Sequence, residues 1–247
     1  MEARQAVLAG LVTVGGRAGA KPSTLVSADE PVGLVAPARR FVSRGGEKLS
    51  VALRRFGVDP SGRDCLDAGA STGGFTDCLL QEGAARVVSV DVGYGQLAWS
   101  LRTDPRVTLL ERTNVRDLDP SDLPFAPSLV VADLSFISLR LVVAALSNVA
   151  APGADHVLLV KPQFEAGRRD VGSGGVVRDP EIWRRAIDDV AGACRRNGLA
   201  PRALMASPVV GPAGNVEFPL HLVRGGEEAQ LAIEDAIEEG RALGGTW

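Results

Sequence analysis

From residue 64 onward, short apolar runs rich in β-formers alternate with longer segments of helical spacing. The predicted strands are residues 64–69, 85–92, 107–113, 128–135, 156–164 and 215–223. Most are apolar on both faces, as strands buried between two helical layers must be. The segments 74–83, 139–153 and 180–198 have helical spacing and end in glycine, the usual helix stop. The alternation predicts an α/β fold with a mostly parallel, doubly wound sheet.

Composition excludes several classes of protein. Hydrophobic residues make up 45% of the 247, yet no apolar run approaches the ~20 residues that span a bilayer. The first ten residues lack the apolar stretch of a secretory signal. We therefore expect a cytoplasmic protein with no membrane partner. Cys65, Cys78 and Cys194 show no metal-binding spacing, so we predict buried thiols and no metal site.

Charge is distributed unevenly along the chain. The net charge is −3, but residues 1–60 hold nine Lys and Arg against five acids. The other end, residues 225–240, is acidic and is predicted to form a solvated helix. Because binding to nucleic acid needs local positive charge, the net charge by itself argues against a strong nucleic-acid binder, but the amino-terminal end is basic.

A loop of small residues follows the first predicted strand and opens a helix, which is typical of a nucleoside site. Its glycines, Gly69 and Gly73, have G-x-x-x-G spacing and not the G-x-G-x-x-G of dinucleotide enzymes. With Asp67 before them, they favour a cationic amino-acid ligand such as S-adenosylmethionine. Asp91, which ends the next strand, is placed to accept hydrogen bonds from ribose hydroxyls. The predicted cofactor-binding residues are Asp67, Gly69, Ala70, Ser71, Gly73, Gly74, Phe75, Asp91, Val92, Asn114, Val115 and Asp133.

Two charged residues come directly after apolar strands, Asp133 and Lys161. Ligands of open α/β sheets bind outside these strand ends, so both are expected to face the cleft. Lys48, placed just before the helix that precedes the first strand, and Glu217 are two further candidates. Spacing alone does not show that the four converge.

Several long strings resemble the TlyA family of ribosomal RNA methyltransferases, also named haemolysin A, within the FtsJ-like ribose 2′-O-methyltransferases. They include "SRGGEKL", "LDAGASTGGFTDCLL", "VVADLSFISL", "LLVKPQFEAG" and "GNVEFPL". The resemblance implies a seven-stranded Rossmann-like domain that uses S-adenosylmethionine to methylate a cytidine 2′-hydroxyl in 16S rRNA, 23S rRNA or both. It also implies a catalytic tetrad on Lys48, Asp133, Lys161 and Glu217, with ribosomal RNA or ribosomal subunits as partner.

The chemistry gives these side chains distinct tasks. A ribose hydroxyl is a poor nucleophile near neutral pH, so a base must take its proton, and Lys161 is our candidate. An uncharged lysine is needed, and burial together with the Lys48 cation would favour it, whereas Asp133 and Glu217 would oppose it while orienting both amines. Phe136 and Phe164 could stack an extruded nucleotide or simply wall the cleft.

The amino-terminal segment is similar to the second half of an S4 domain, a small RNA-binding fold. "LVTVGGRAGAKP" predicts a short strand, a Gly-Gly turn and a basic step, although an ordinary hairpin arm fits it as well. We expect a partial S4-like module over 1–37, a linker over 38–44 and the methyltransferase domain over 45–247. The predicted RNA contacts are Arg4, Arg17, Lys21, Arg39, Arg40, Arg44, Arg168 and Arg169.

Three other functions compete with this hypothesis. A nicotinamide-dependent oxidoreductase could use the same fold, but the glycine spacing and the lack of a suitably placed His or Tyr disfavour it. A non-catalytic RNA-binding assembly factor remains open. A pore-forming haemolysin is disfavoured because no segment is long and apolar enough to insert.

Overall fold

The computed structural model describes residues 3–8, 10–34, 40–167 and 169–244. The chain divides into two compact units, Met1–Arg40 and Phe41–Trp247. Residues 41–44 of the predicted linker over 38–44 lie within the second unit, and residues 38 and 39 lie outside the described residues. Phe41 is only 3% exposed within the core of the second unit, and the Val42 amide donates to Asp77 at 2.8 Å.

The first unit is a small antiparallel sheet preceded by one helix. Its elements are helix α1 (Ala3–Leu8) and strands β1 (Val12–Val14), β2 (Arg17–Ala18) and β3 (Val32–Leu34). β1 is central and pairs antiparallel with both neighbours. The predicted Gly-Gly turn joins β1 to β2, with φ of 57° at Gly15 and 76° at Gly16. Two left-handed residues suit the tight turn of a hairpin, which explains the two glycines.

The second unit contains a seven-stranded sheet and seven α-helices among its described residues. Its strands are β4 (Asp64–Ala68), β5 (Arg86–Val90), β6 (Val107–Leu110), β7 (Leu129–Ala132), β8 (Asp155–Val160), β9 (Leu199–Leu204) and β10 (Phe218–Arg224). Its helices are α2 (Gly45–Phe56), α3 (Gly74–Gln81), α4 (Trp99–Arg102), α5 (Val143–Val149), α6 (Pro162–Glu165), α7 (Pro180–Arg196) and α8 (Ile233–Gly244).

The strand order is β6-β5-β4-β7-β8-β10-β9. The first five of these pair in parallel, whereas β10 runs antiparallel to both β8 and β9. The predicted α/β, mostly parallel, doubly wound fold is confirmed. The edge strand β9 was not among the predicted strands, because Pro201 interrupts its pattern; an edge strand tolerates proline since one side of it makes no ladder bonds.

Helices cover both faces of the sheet. Leu66 points into a core with α5, α7 and α8, while its neighbour Cys65 points into a second core with α2 and α3. Both residues are fully buried, which is the reason for the apolar runs. The acidic C-terminal helix α8 is solvated on one side only, since Ala236 and Ile237 are 1% and 2% exposed.

Candidate active site

The four charged candidates meet at the edge of the sheet where the parallel strands end. Asp133 follows β7 and Lys161 follows β8 directly. β10 begins at that edge because it is antiparallel, and its Phe218 pairs with Val160, the last residue of β8. Glu217, one position before β10, is therefore carried to the side of Lys161.

Lys48 comes from a different layer. It lies in the first turn of α2, not before the helix as its glycine-rich surroundings suggested. Helices α2 and α3 approach closely at their amino ends, which explains why glycines stand there. A Cβ on Gly74 would lie 2.2 Å from Ser43 Oγ and 3.0 Å from the Gly46 nitrogen. The glycines thus serve packing, and this close approach aims Lys48 at the strand ends.

The four residues form two buried ion pairs. Lys48 Nζ lies 2.5 Å from Glu217 Oε2, with side-chain exposures of 7% and 1%. Lys161 Nζ lies 2.6 Å from Asp133 Oδ1, with side-chain exposures of 8% and 19%. All four line one cavity of about 190 Å³, which we call the charged cavity because of these four side chains. Two cations and two anions leave this cavity without net charge, which is how four charged groups can share a buried space.

Lysine is scarce in this chain. The sequence has 27 basic side chains, of which three are lysine: Lys21, Lys48 and Lys161. Two of those three are the buried amines of this cavity. Lysine can lose its proton and arginine in practice cannot, so a site that needs an amine base cannot substitute arginine. This scarcity is a sequence signal for the site that motif spacing does not contain.

A larger cavity of about 540 Å³ adjoins the charged one and shares Gly69, Ser71, Asp133 and Ser135 with it. Its volume falls within the ~300–1,000 Å³ typical of small-molecule sites. It is lined by Gly69, Ser71, Asp91, Val92, Gln96, Asn114, Val115, Asp133, Leu134, Ser135, Phe136, Ile137 and Val142. The two cavities together form one cleft with a reactive end and a binding end.

The lining of the larger cavity fits S-adenosylmethionine. Among the described residues that line it there is no Lys or Arg, so a pyrophosphate would find no counter-charge, whereas Asp91 and Asp133 suit a cation. Asp91 is held in place by the amides of Ser71 and Gly93, at 2.8 and 2.7 Å. Apolar side chains such as Val115 offer a surface for a purine ring.

The backbone is strained at two places that line this cavity. Ser71 has φ of 47° and Phe136 has φ of 65°, a conformation that a bulky aromatic residue rarely adopts. Such strain concentrates at ligand sites. The turn leaves the Phe136 ring 92% exposed, 5.2 Å from the Phe164 ring. Phe164 is half-buried, so the exposed Phe136 ring is the part of this pair available for stacking on a flat ligand.

Most of the predicted cofactor residues line one or both cavities. Those that do are Gly69, Ala70, Ser71, Gly74, Phe75, Asp91, Val92, Asn114, Val115 and Asp133. Gly69 has φ of +87°, and a Cβ there would lie 2.8 Å from the Asp133 carbonyl oxygen, so glycine lets the two strand ends approach. Sequence reasoning missed Ser135, which lines both cavities.

Gly73 and Asp67 line neither cavity. Gly73 adopts φ of +98°, and a Cβ there would collide with Leu101 and Leu97. Asp67 is fully buried below the loop, where its Oδ2 accepts a hydrogen bond from Thr76 Oγ1 at 2.6 Å. Thr76 Oγ1 also lies 2.7 Å from Ser89 Oγ. Asp67 thus ties β4 to α3 and β5, and its Oδ1 has no hydrogen-bond partner.

Burial raises the pKa of Asp67 from 3.8 to about 7, with the Thr76 hydrogen bond acting against the rise. A carboxyl whose pKa is higher in the folded state stabilises the fold fully below pH 3.8, and this contribution is lost as pH rises toward 7. Asp67→Asn should abolish that loss. We expect the free energy of unfolding of the variant, relative to wild type, to rise between pH 4 and pH 8 by up to about 4 kcal/mol. Urea unfolding at both pH values measures it, and a constant difference would contradict the assignment.

The predicted RNA contacts are placed unevenly. Arg17, Lys21, Arg40, Arg44 and Arg169 are exposed. Arg44 immediately precedes α2 and Gly45, which lines the charged cavity. Arg4 lies in α1, but its side chain, like Arg39 and Arg168, lies outside the described residues.

The three cysteines are buried thiols, as predicted. Burial raises the pKa of Cys65 and of Cys194 to about 12, so neither is a reactive nucleophile. In the described part of the chain, no helix combines the length and apolarity needed to cross a membrane.

Comparison with known proteins adds the family context. The model of a family described as FtsJ-like methyltransferase matches residues 41–224. The 16S/23S rRNA (cytidine-2′-O)-methyltransferase TlyA of Mycobacterium tuberculosis is 50% identical over 239 residues, covering 96% of this chain and 89% of that protein. The 23S rRNA (cytidine-2′-O)-methyltransferase TlyA of Campylobacter jejuni is 36% identical over 187 residues, covering 74% and 71%. A solved structure from Streptococcus thermophilus, provisionally named a haemolysin, superposes with a TM-score of 0.81 at 39% identity, covering 98% of this chain and 89% of that one.

Proposed function

Because this chain belongs to the FtsJ-like methyltransferase family, and within it to the TlyA proteins, we propose that it methylates the ribose 2′-hydroxyl of a cytidine in ribosomal RNA. S-adenosylmethionine is the methyl donor. One observation carries the proposal. A cavity lined by two Lys–carboxylate pairs adjoins a larger cavity of nucleoside size, whose described lining residues include no Lys or Arg that could pair with a phosphate. The 16S and 23S molecules are both candidate substrates.

The larger cavity would hold the cofactor. Asp91 would accept hydrogen bonds from its ribose, Val115 and Asn114 would border its base, and Gly69 would let the backbone pass close to its amino-acid part. When bound, S-adenosylmethionine supplies a methyl group attached to a positively charged sulfur. The residues that line both cavities, Gly69, Ser71, Asp133 and Ser135, would lie between the bound cofactor and the charged cavity.

Lys161 is the proposed base. In its uncharged form its amine takes the proton of the 2′-hydroxyl as that oxygen becomes a nucleophile, and Asp133, 2.6 Å away, then stabilises the resulting ammonium. The charged cavity also orients the hydroxyl, which contributes to the rate independently of proton transfer. Lys48 and Glu217 border the same space as a fixed ion pair.

We place the proposed RNA contacts on both units. Phe136 and Phe164 are proposed to stack on the extruded target nucleotide, since chemistry on a structured RNA usually requires the target to leave the helix. Arg44 and Arg169 are proposed phosphate contacts of the methyltransferase unit, and Arg17 and Lys21 are proposed contacts of the small amino-terminal unit.

The direct test is methyl transfer with the purified full chain, labelled S-adenosylmethionine and isolated 30S and 50S subunits. We expect label in ribosomal RNA, resistant to alkaline hydrolysis because a 2′-O-methyl group blocks cleavage, and located at cytidine by nuclease mapping. Label on a base, or none on either subunit, would overturn the proposal. NAD in place of S-adenosylmethionine should not bind, and calorimetry distinguishes the two ligands.

A further inference from the structure

Ser135 contacts the proposed base directly. Its Oγ accepts a hydrogen bond from Lys161 Nζ at 2.9 Å, and Ser135 lines both cavities. Lys161 Nζ therefore has two acceptors, Ser135 Oγ and Asp133 Oδ1, and the second is 2.6 Å away. The hydroxyl has no other role in the described contacts, and removing it would not empty any part of the core.

The number of acceptors matters for a base. An uncharged lysine amine has two N–H groups and one lone pair, whereas the charged form has three N–H groups. Two acceptors occupy both N–H groups of the uncharged amine, so the lone pair must point in the one remaining direction. With a single acceptor, one N–H would be fixed and the lone pair could take either of the two remaining positions on nitrogen, so its direction would not be unique.

The loop that carries Ser135 is held at both ends. The Asp133 amide donates to the Ala68 carbonyl at 3.1 Å. On the other side, the buried carboxylate of Glu165 accepts from the Leu139 amide at 2.7 Å and from Ser138 Oγ at 2.5 Å. The left-handed backbone of Phe136 then turns the chain immediately after Ser135. These contacts thus fix the position of the Ser135 hydroxyl.

We propose that Ser135 is a positioning residue, which together with Asp133 occupies both N–H groups of uncharged Lys161 and directs its lone pair toward the 2′-hydroxyl. The inference rests on the proposed function, because it assigns Lys161 as the base. It adds a fifth residue to the four charged ones.

Two measurements test the proposal. In single-turnover methyl transfer, Ser135→Ala should lower the rate by about tenfold, a fraction of the general-base contribution, with the Kd for S-adenosylmethionine unchanged within about twofold. Ser135→Thr, which keeps the hydroxyl, should restore most of the rate. Ser121→Ala is the control, since it removes an exposed hydroxyl that lines neither cavity and donates to Asp119 at 2.7 Å.

The second measurement does not depend on activity. Isotope labelling at lysine gives three side-chain signals, from Lys21, Lys48 and Lys161. Ser135→Ala should move the Lys161 signal and leave that of Lys21 in place, while Ser121→Ala should move neither. An unchanged Lys161 signal, an undiminished rate in Ser135→Ala, or an equal loss of rate in Ser121→Ala would each overturn the positioning role. An inactive wild-type enzyme would instead overturn the proposed function, and the lysine signals would still report the contact.

Discussion

Lys161→Met should lower the single-turnover rate of RNA methylation by about 10²–10⁴-fold, the usual contribution of a general base. Methionine keeps the length and apolar stem of lysine but can neither accept the 2′-hydroxyl proton nor pair with Asp133. S-adenosylmethionine should bind with nearly unchanged affinity, because Lys161 lines the charged cavity and not the larger one. Rates on ribosomal subunits and calorimetry with the cofactor measure the two quantities.

The design of the experiment separates catalysis from folding. Arg195→Met removes an exposed cation that pairs with Glu228 at 2.9 Å and should leave the rate unchanged. A melting temperature for Lys161→Met within a few degrees of wild type would show that the loss is chemical. An undiminished rate would mean that orientation alone accelerates the reaction, and a chain that binds RNA but never transfers methyl would be an assembly factor.

The placement of Asp133 and Lys161 at the strand ends could be predicted from sequence, because the carboxyl ends of parallel strands lie at the same edge of a sheet. Apolar runs place Asp133 and Lys161 at one edge whatever the rest of the chain does. The position of β10 in the sheet could not be predicted in this way. Glu217 reaches Lys161 only because β10 runs antiparallel beside β8, and no local pattern fixes which strands become neighbours.

The position of Asp67 follows from the alternation of side chains along β4. Side chains alternate along a strand, so Asp67 shares a face with Cys65, which lies in the core below α3. The alternation places its carboxylate under the helix, beside Thr76, and not in the cavity. The glycines before Lys48 could not be interpreted locally, because what requires them is the close approach of α2 to α3.

The exposure of Phe136 also depends on distant contacts. Its left-handed backbone is sustained by a loop that Glu165 holds from another element, 26 residues away from Leu139 along the chain. Sequence allowed both a stacking surface and a cleft wall. The 92% exposed ring favours the first.

Lys48→Met should destabilise the protein by about 3–5 kcal/mol, since it leaves Glu217 charged and without its partner. Glu217 is 1% exposed, and its Oε2 lies 2.5 Å from Lys48 Nζ. For a domain of this size the melting temperature should fall by roughly 6–20 °C. Urea unfolding at neutral pH gives the free energy.

The double variant Lys48→Met with Glu217→Gln identifies the cause. Removing both charges eliminates the buried, uncompensated carboxylate, so stability should return to within about 1 kcal/mol of wild type while methyl transfer stays low. Arg55→Met serves as control: it breaks an exposed pair with Glu239, also 2.5 Å long, and should cost less than about 1 kcal/mol. If the double variant were as unstable as Lys48→Met, lost packing of the lysine stem would explain the effect better than the buried charge. A stable but inactive double variant would show that the Lys48–Glu217 pair is needed for methyl transfer and not for folding, because two neutral side chains would then support the fold equally well.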